Sequence, residues 1–203
     1  MTEIPINSEI TPKASRYIPF TQQPACCVPT CIQMIMYKNN IPLIPAEEIG
    51  YALGLIVHPD KSNLFYNTRT STTRPAAGYG TRIYDPEYEP NVAFKKLNIP
   101  LSFSIKSITD IRSEKQLIKT LSEVESFNQD VLICFHQGAL ENDPNKDWGH
   151  VCVFDRIING EIRFIDPSPS DAKWRTFSAE ALFESMQQHG AQRSAGLWYL
   201  ELK

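Results

Sequence analysis

The chain has 203 residues, of which 42% are hydrophobic and 10% aromatic, enough apolar material to fill the core of one ordinary domain. We therefore expect a single folded domain over residues 1–203 and exclude a chain disordered throughout. Twenty Lys and Arg against 23 Asp and Glu give a net charge of −3. No stretch gathers basic residues into a stripe that could contact phosphates, which disfavours nucleic acid as a partner.

Membrane and export signals are also missing from the sequence. The longest apolar run covers residues 131–135, far short of the roughly 20 residues that cross a bilayer. Residues 1–10 lack a basic start followed by an apolar run, so we expect no cleavable signal peptide. The odd number of cysteines indicates free thiols in a reducing compartment such as the cytoplasm; they are Cys26, Cys27, Cys31, Cys134 and Cys152.

The first half of the chain predicts an irregular arm, two helices and a long loop. Residues 1–20 carry prolines without a sustained period, which is typical of an extended arm. Over 27–37 the apolar residues occur all round, as in a buried helix that begins at or next to Cys27 and holds Pro29 in its first turn. A short helix over 46–53 follows. Residues 58–90 are polar and irregular, and we expect them to form a substrate-binding loop.

The second half predicts a sheet with helices around it. A short helix over 91–98 and a strand over 101–105 precede a capping box, Ser113 and Gln116, which opens a helix. Further strands are expected over 131–135, 151–158, 162–165 and 197–202, with Asn159-Gly160 as a hairpin turn. Ser178 can cap one more helix. Helices first and then an antiparallel sheet indicate the α+β class.

Cys27 is the strongest candidate for a catalytic residue. At the N-terminus of a buried helix, the helix dipole and the free backbone N–H groups favour a thiolate, which is the nucleophilic form of cysteine. Cys31 lies one turn further along, where packing would cover its sulfur, and Cys26 precedes the helix with nothing to activate it. The sequence therefore predicts a thiol nucleophile at residue 27.

His150 and Asp166 complete a possible catalytic triad. A thiolate needs a base that later protonates the leaving amine, and His150 stands at the start of the strongest predicted strand, after Gly149. Asp166 ends the strand that the hairpin pairs with the strand of His150, so both residues should meet at one edge of the sheet. An aspartate there can accept the imidazole N–H and fix its tautomer.

These residues resemble the papain-like cysteine peptidases. The order of the nucleophile helix, the segment around His150 and the Asp166-Pro pair is most similar to the bacteriocin-processing, double-glycine-leader peptidases and their stand-alone relatives. The resemblance implies a helical part with the nucleophile, packed on a small antiparallel sheet. It also implies a glutamine whose side chain helps to bind the oxyanion. That glutamine usually stands six residues before the nucleophile, where this chain has Thr21, so Gln22 is the candidate and Gln23 the alternative.

The leading hypothesis is a cysteine peptidase-like hydrolase that cleaves a peptide, isopeptide or amide bond of a peptide or protein substrate, without a cofactor or metal. Relatives of this kind include secreted bacterial effectors. An acyltransferase or transglutaminase-like enzyme with the same triad is an alternative. A catalytically silent binding module is another, favoured by the displaced glutamine and by Val28 in place of a common glycine. Zinc binding and redox control by the cysteines are weaker hypotheses, and the oligomeric state is open.

Overall fold

The computed structural model describes residues 15–76, 78–171 and 173–203. The α-helices are α1 (Cys27–Lys38), α2 (Ala46–Ala52), α3 (Pro90–Lys96), α4 (Glu114–Ser126), α5 (Gln137–Glu141) and α6 (Ala179–His189). Five of them lie close to the predicted positions, and α5 was not predicted. In the part of the chain that is described, none of these helices is long and apolar enough to cross a bilayer.

The strands form one large antiparallel sheet and a two-stranded parallel pair. They are β1 (Ile56–Val57), β2 (Arg69–Thr70), β3 (Leu101–Ser107), β4 (Asp130–His136), β5 (Gly149–Ile158), β6 (Glu161–Ile165), β7 (Trp174–Phe177) and β8 (Gly196–Leu202). Within the described residues, the large sheet has the order β3-β8-β4-β5-β6-β7, and every neighbouring pair is antiparallel. The pair β1 and β2 lies apart from it. The predicted α+β class is confirmed.

The sheet is covered on both faces, which divides the core into two layers. One cluster joins α1, α2 and α3 to one face through side chains such as Ile35, Leu53 and Phe94. The other joins α4 and α6 to the opposite face through side chains such as Leu121 and Met186. Both clusters contain alternate residues of β4 and β5, as expected for central strands buried on both sides. The strands that carry the site are therefore held rigidly.

Local sequence signals explain the turns and helix starts. Asn159 and Gly160 have φ of 51° and 84°, the positive values that a two-residue hairpin turn requires. Ser113 Oγ accepts from the backbone N–H of Gln116 at 3.2 Å, and Ser178 Oγ caps α6 in the same way. These three predicted features are confirmed. The Gln116 side chain returns to the N–H of the residue before Ser113, one position earlier than in a strict capping box.

A β-bulge at Asp155 shifts the register of the hairpin formed by β5 and β6. Phe154 pairs with Phe164, although the turn alone would pair Phe154 with the residue after Phe164. Because a shift of one residue turns every following side chain to the other face, the bulge changes the face on which Asp166 emerges. As a result, Asp166 lies on the same face as His150.

The bulge is stabilised by the carboxylate of its own extra residue. Asp155 is fully buried, and its Oδ2 accepts from Arg163 Nε at 2.7 Å. Its Oδ1 accepts from the backbone N–H of Arg16 at 2.7 Å and from Ser15 Oγ at 3.2 Å. Segments that are distant in the sequence therefore meet at this one buried charge.

The arm and the long loop are only partly as expected. Of the arm predicted over 1–20, residues 1–14 lie outside the described residues, and 15–20 form neither helix nor strand. The segment 58–90 holds β2 and two short 3₁₀ helices, Pro59–Leu64 and Pro86–Tyr88. Arg82 is buried within it and donates to the carbonyls of Gly78, Gly80 and Thr81 at 2.6–3.0 Å. The loop is thus tied together by a guanidinium in its interior.

Candidate active site

Cys27 is the first residue of α1 and belongs to a strained turn. The N-cap, Cys26, supplies no side-chain hydrogen bond, and the first turn contains no acidic residue. The preceding Ala25 has φ 62°, a left-handed conformation that residues other than glycine seldom adopt. The sulfur of Cys27 therefore lies at a helix start whose first N–H groups and dipole favour negative charge in general.

His150 lies beside Cys27 at the start of β5. Its Nε2 is 2.7 Å from Asp166 Oδ1, which leaves Nδ1 as the ring nitrogen free to interact with the nearby Cys27 side chain. Phe135, its partner on β4, packs edge-on against the ring with centroids 5.8 Å apart. Burial alone would lower the pKa of His150, but its hydrogen bonds to Asp166 and Cys27 outweigh burial and raise the pKa to about 10.

Asp166 is fully buried and accepts three hydrogen bonds. Besides His150, its Oδ1 accepts from the backbone N–H of Ser168 at 2.8 Å, and its Oδ2 accepts from Arg175 Nη1 at 2.8 Å. Burial by itself would raise the pKa of this carboxyl, but the hydrogen bonds and charges of His150 and Arg175 hold the pKa well below its usual range. Asp166 is therefore ionised beside the imidazole.

Arg175 is a residue that the sequence analysis missed. It lies on β7, and besides Asp166 it pairs with Glu141 Oε1 at 2.5 Å. Glu141 in turn contacts Lys146 and accepts from the side chain of Gln137. The sequence feature that could have revealed β7 is the short run of aromatic and β-branched residues at 174–177, which is typical of an edge strand. A chain of alternating charges thus extends from the imidazole to the surface of α5.

The other four cysteines lie deeper than Cys27, which is partly exposed. Burial raises the pKa of the Cys26 thiol to about 12 and that of the Cys31 thiol well above its usual value. Cys31 Sγ also donates to the Val151 carbonyl at 3.4 Å. The prediction that Cys31 is covered by packing agrees with its position. Cys26 packs in a small apolar cluster with Leu55 and Val57.

The remaining histidines have structural contacts of their own. His136 caps α5 through Nδ1, and its Nε2 lies 3.1 Å from Asp147 Oδ1. His58 accepts from the N–H of Asp60 at the start of a 3₁₀ helix. His189 packs against Gly149, where an added Cβ would lie only 2.3 Å from its ring. Of the four, His150 is the histidine that the structure brings to Cys27 and Asp166.

The two candidate glutamines differ in their contacts. Gln22 donates its backbone N–H to the Pro167 carbonyl at 2.8 Å, next to Asp166, and its side-chain Oε1 is buried without a partner in the described part of the chain. Gln23 instead donates its side-chain Nε2 to the Leu64 carbonyl at 3.0 Å. Gln22 is therefore fixed beside the triad, and the amide of Gln23 is engaged elsewhere.

Cys27 opens onto a cleft of about 470 Å³. The long loop forms part of its wall, since residues 74–76, 78–81, 83 and 84 all line it. The aromatic side chains at the cleft are Tyr79, Tyr84, Trp148 and Trp198. Val28 is nearly buried and packs in the core as well as lining the cleft. The volume is in the range of small-molecule and peptide side-chain sites.

A metal site at this position is not supported by the donor atoms. His150, Cys152 and Asp166 have possible ligand atoms within 4.8 Å of one another. However, the Asp166 oxygens already accept three hydrogen bonds, one of them from the imidazole itself. Burial raises the pKa of the Cys152 thiol well above its usual value, which disfavours the thiolate that a metal needs. The donor atoms of this cluster therefore do not fit a metal ion.

Comparisons with known proteins agree with this architecture. No protein-family model matches the chain, and no curated protein matches it. Among solved structures, it is similar to the crystal structure of a "putative C39-like peptidase from Bacillus anthracis", with a TM-score of 0.55 and 15% identity, covering 92% of this chain and 95% of that one. The predicted papain-like α+β fold, a nucleophile helix packed on an antiparallel sheet, is thereby confirmed.

Proposed function

We propose that the chain is a cysteine peptidase-like hydrolase that cleaves a peptide, isopeptide or amide bond of a peptide or protein substrate through an acyl-enzyme on Cys27. One observation carries the proposal: a partly exposed cysteine at a helix N-terminus interacts electrostatically with a buried histidine, and that histidine is hydrogen-bonded to an ionised aspartate. The similarity in fold to a peptidase supports the same reaction class. The order of motifs favours a stand-alone relative of the double-glycine-leader peptidases.

In the first half-reaction, the Cys27 thiolate attacks the carbonyl carbon of the scissile bond. The carbonyl electron pair moves to oxygen and gives a tetrahedral oxyanion. When this intermediate collapses, the C–N bond breaks and His150 gives its proton to the leaving amine, which produces an acyl-thioester on Cys27 and a neutral imidazole.

In the second half-reaction, neutral His150 takes a proton from water as the water oxygen attacks the thioester. The C–S bond breaks, the acid is released, and the thiolate–imidazolium pair is restored. Asp166 holds one tautomer of the ring and stabilises its cationic form throughout, without itself gaining a proton. Arg175 keeps Asp166 ionised and in place.

Gln22 is proposed as a side-chain donor to the oxyanion, together with the backbone N–H of Cys27. The backbone hydrogen bond of Gln22 to Pro167 holds it beside Asp166, which favours it over Gln23, whose side-chain amide is bonded to Leu64. The cleft beyond Cys27 would then take the residues next to the scissile bond.

Brief alkylation with limiting iodoacetamide between pH 5 and 9, followed by peptide mapping, tests the proposal directly. An unassisted thiol is only about 0.1% thiolate three units below its pKa. We therefore expect Cys27 to be modified at pH 5.5 at least about tenfold faster in the wild type than in His150→Ala. His58→Ala is the control, because His58 does not contact Cys27.

Two results would contradict the proposal. Equal rates in the wild type and in His150→Ala would show that the histidine does not assist the sulfur. Slow, uniform labelling of all accessible thiols would indicate the silent binding module instead. If Cys27 is activated, an acyl-thioester formed on it can be left to react with water alone or with an added amine. Mass spectrometry of the released acyl product then distinguishes hydrolysis from acyl transfer.

A further inference from the structure

The net charge of the side chains that line the cleft is opposite in sign to the net charge of the whole chain. The chain has a net charge of −3, yet the cleft beside Cys27 is lined by Arg74 and Arg193 and by a single carboxylate, Asp147. The Asp147 side chain is 75% exposed and is hydrogen-bonded to His136. Asp147 is therefore well solvated, as are the exposed Arg74 and Arg193, and the two guanidinium charges outnumber the one carboxylate charge. The wall of the cleft is cationic.

The two lining arginines retain N–H donors for a ligand. Arg74 uses one nitrogen, Nη2, to donate to the backbone carbonyl of Asp147 at 2.7 Å. Arg193 makes no side-chain hydrogen bond or ion pair within the described ranges. A guanidinium has five N–H donors in a planar fork, which matches the two oxygens of a carboxylate. Both arginines can therefore bind a carboxylate without first releasing one of the protein.

A third arginine, Arg82, is buried in the segment that supplies part of the cleft lining but does not itself line the cleft. Arg82 is 9% exposed, and its guanidinium donates only to the neutral carbonyls of Gly78, Gly80 and Thr81. No carboxylate in the described chain forms an ion pair with it. Three of the residues that flank it, Gly80, Thr81 and Ile83, line the cleft. Because its charge lies in a region of low dielectric constant, its field reaches the cleft with little screening.

We propose that Arg74 and Arg193, which line the cleft, form an arginine wall that selects substrates with an acidic side chain close to the bond that Cys27 attacks, and that the buried charge of Arg82 adds to its positive potential. This inference rests on the proposed function, since it names the substrate class of the same site. The wall binds the carboxylate of an Asp or Glu residue in a peptide, and the aromatic residues of the cleft contact the apolar part of that peptide. Substrates with Lys or Arg at this place are repelled.

Two alkylating agents of nearly equal size test the field of the wall. Iodoacetate transfers a carboxymethyl group to the thiolate and iodoacetamide a carbamidomethyl group, each with loss of iodide, but only iodoacetate is an anion. We expect the ratio of their rates at Cys27 to fall about three- to tenfold in Arg74→Gln/Arg193→Gln, because two positive charges are lost. The control is Arg112→Gln/Lys115→Gln, which removes the same charge from exposed residues that do not line the cleft.

A peptide pair then tests binding of an acidic side chain. Acetyl-tetraglutamate amide should protect Cys27 from iodoacetamide, and acetyl-tetraglutamine amide should not. Protection should disappear in Arg74→Gln/Arg193→Gln and persist in the control variant. If the rate ratio falls but neither peptide protects, the wall attracts small anions only, and the proposal of an acidic peptide is wrong.

Failure of this inference is distinguishable from failure of the proposed function. The iodoacetamide rate at Cys27, compared between the wild type and His150→Ala, reports the pairing with His150, and the ratio of the two reagents' rates cancels any change in the thiolate itself. An unchanged rate ratio with fast iodoacetamide labelling overturns the arginine wall and leaves the nucleophile intact. Slow, His150-independent labelling overturns the proposed function itself.

Discussion

Gly149 offers the sharpest test of the packing around the site. It precedes His150, and a Cβ at this position would lie 2.3 Å from His189 Cε1 and 2.6 Å from its Nε2. Gly149 is not among the glycines with positive φ, so its backbone suits any residue. The glycine is therefore required for space alone. The space beside its Cα is taken by the ring of His189.

The cost of Gly149→Ala follows from that distance. Ordinary carbon contacts are 3.4–4 Å, so the ring or the strand must move by about 1 Å. His189 is 7% exposed and has little room to move. Overpacking of this kind costs about 1–3 kcal/mol, and we expect a loss of about 2 kcal/mol in the free energy of unfolding. A shift of the strand would also displace His150 and slow alkylation of Cys27 about tenfold or more.

A double-mutant cycle with His189→Ala isolates the contact. Removing the ring lowers stability by itself, but Gly149→Ala should then cost less than about 0.5 kcal/mol more. The measurements are urea unfolding and the iodoacetamide rate of Cys27 at pH 5.5. Gly160→Ala is the matched control. Apart from its two chain neighbours, no described residue lies within 4 Å of its Cβ position, but its φ of 84° strains an alanine. Its cost should therefore be the same with and without the His189 ring. Equal costs of Gly149→Ala with and without His189 would refute the steric argument.

Three further predictions concern the triad and its charges. The pKa of His150 in the folded protein is about 10, above the ordinary 6.5, so its contribution to stability is complete below about pH 6.5 and is lost as the pH rises towards 10. Urea unfolding should show this decline in the wild type and a flatter profile in Asp166→Asn; parallel profiles would contradict it. Arg175→Met leaves the buried Asp166 and the half-buried Glu141 with fewer partners and should cost about 3 kcal/mol in the free energy of unfolding. Arg175→Lys keeps the charge and should cost less, and equal losses would show that packing, not charge, matters. Dialysis against a chelator should change neither the unfolding midpoint nor Cys27 labelling, and stoichiometric zinc by elemental analysis would overturn this expectation.

The fold could be predicted where the signal was local. The buried helix after Cys27, the cap at Ser113 and the turn at Asn159 each depend on a few neighbouring residues, and each lies where the sequence placed it. The position of His150 and Asp166 at one sheet edge followed from that same turn. Their meeting with Cys27 needed the known order of papain-like motifs in addition, because periodicity says nothing about which helix packs on which strand.

What the sequence could not show depends on distant contacts. The bulge at Asp155 is held by Arg163 and by Arg16, which is 139 positions away in the chain, and no local pattern encodes such a contact. Arg175 was missed because β7 is only four residues long and follows a stretch rich in proline and serine. The steric role of Gly149 needs a ring from α6, forty residues further on. These are tertiary effects, and each of them adjusts the site and not the fold.

The bulge has a consequence for comparing this protein with others by sequence. A two-residue turn pairs residues whose numbers add to an odd total, as with Ile158 and Glu161. Paired residues share a face of the sheet and faces alternate along each strand, so a regular ladder would place an even-numbered histidine and an even-numbered aspartate on opposite faces. Here the even spacing of His150 and Asp166 works because one residue bulges out. A homologue with no bulge would need an odd spacing, or a three-residue turn, to bring the same two side chains together. The number of residues between histidine and aspartate is therefore not a reliable signature unless the turn and the bulge are counted with it.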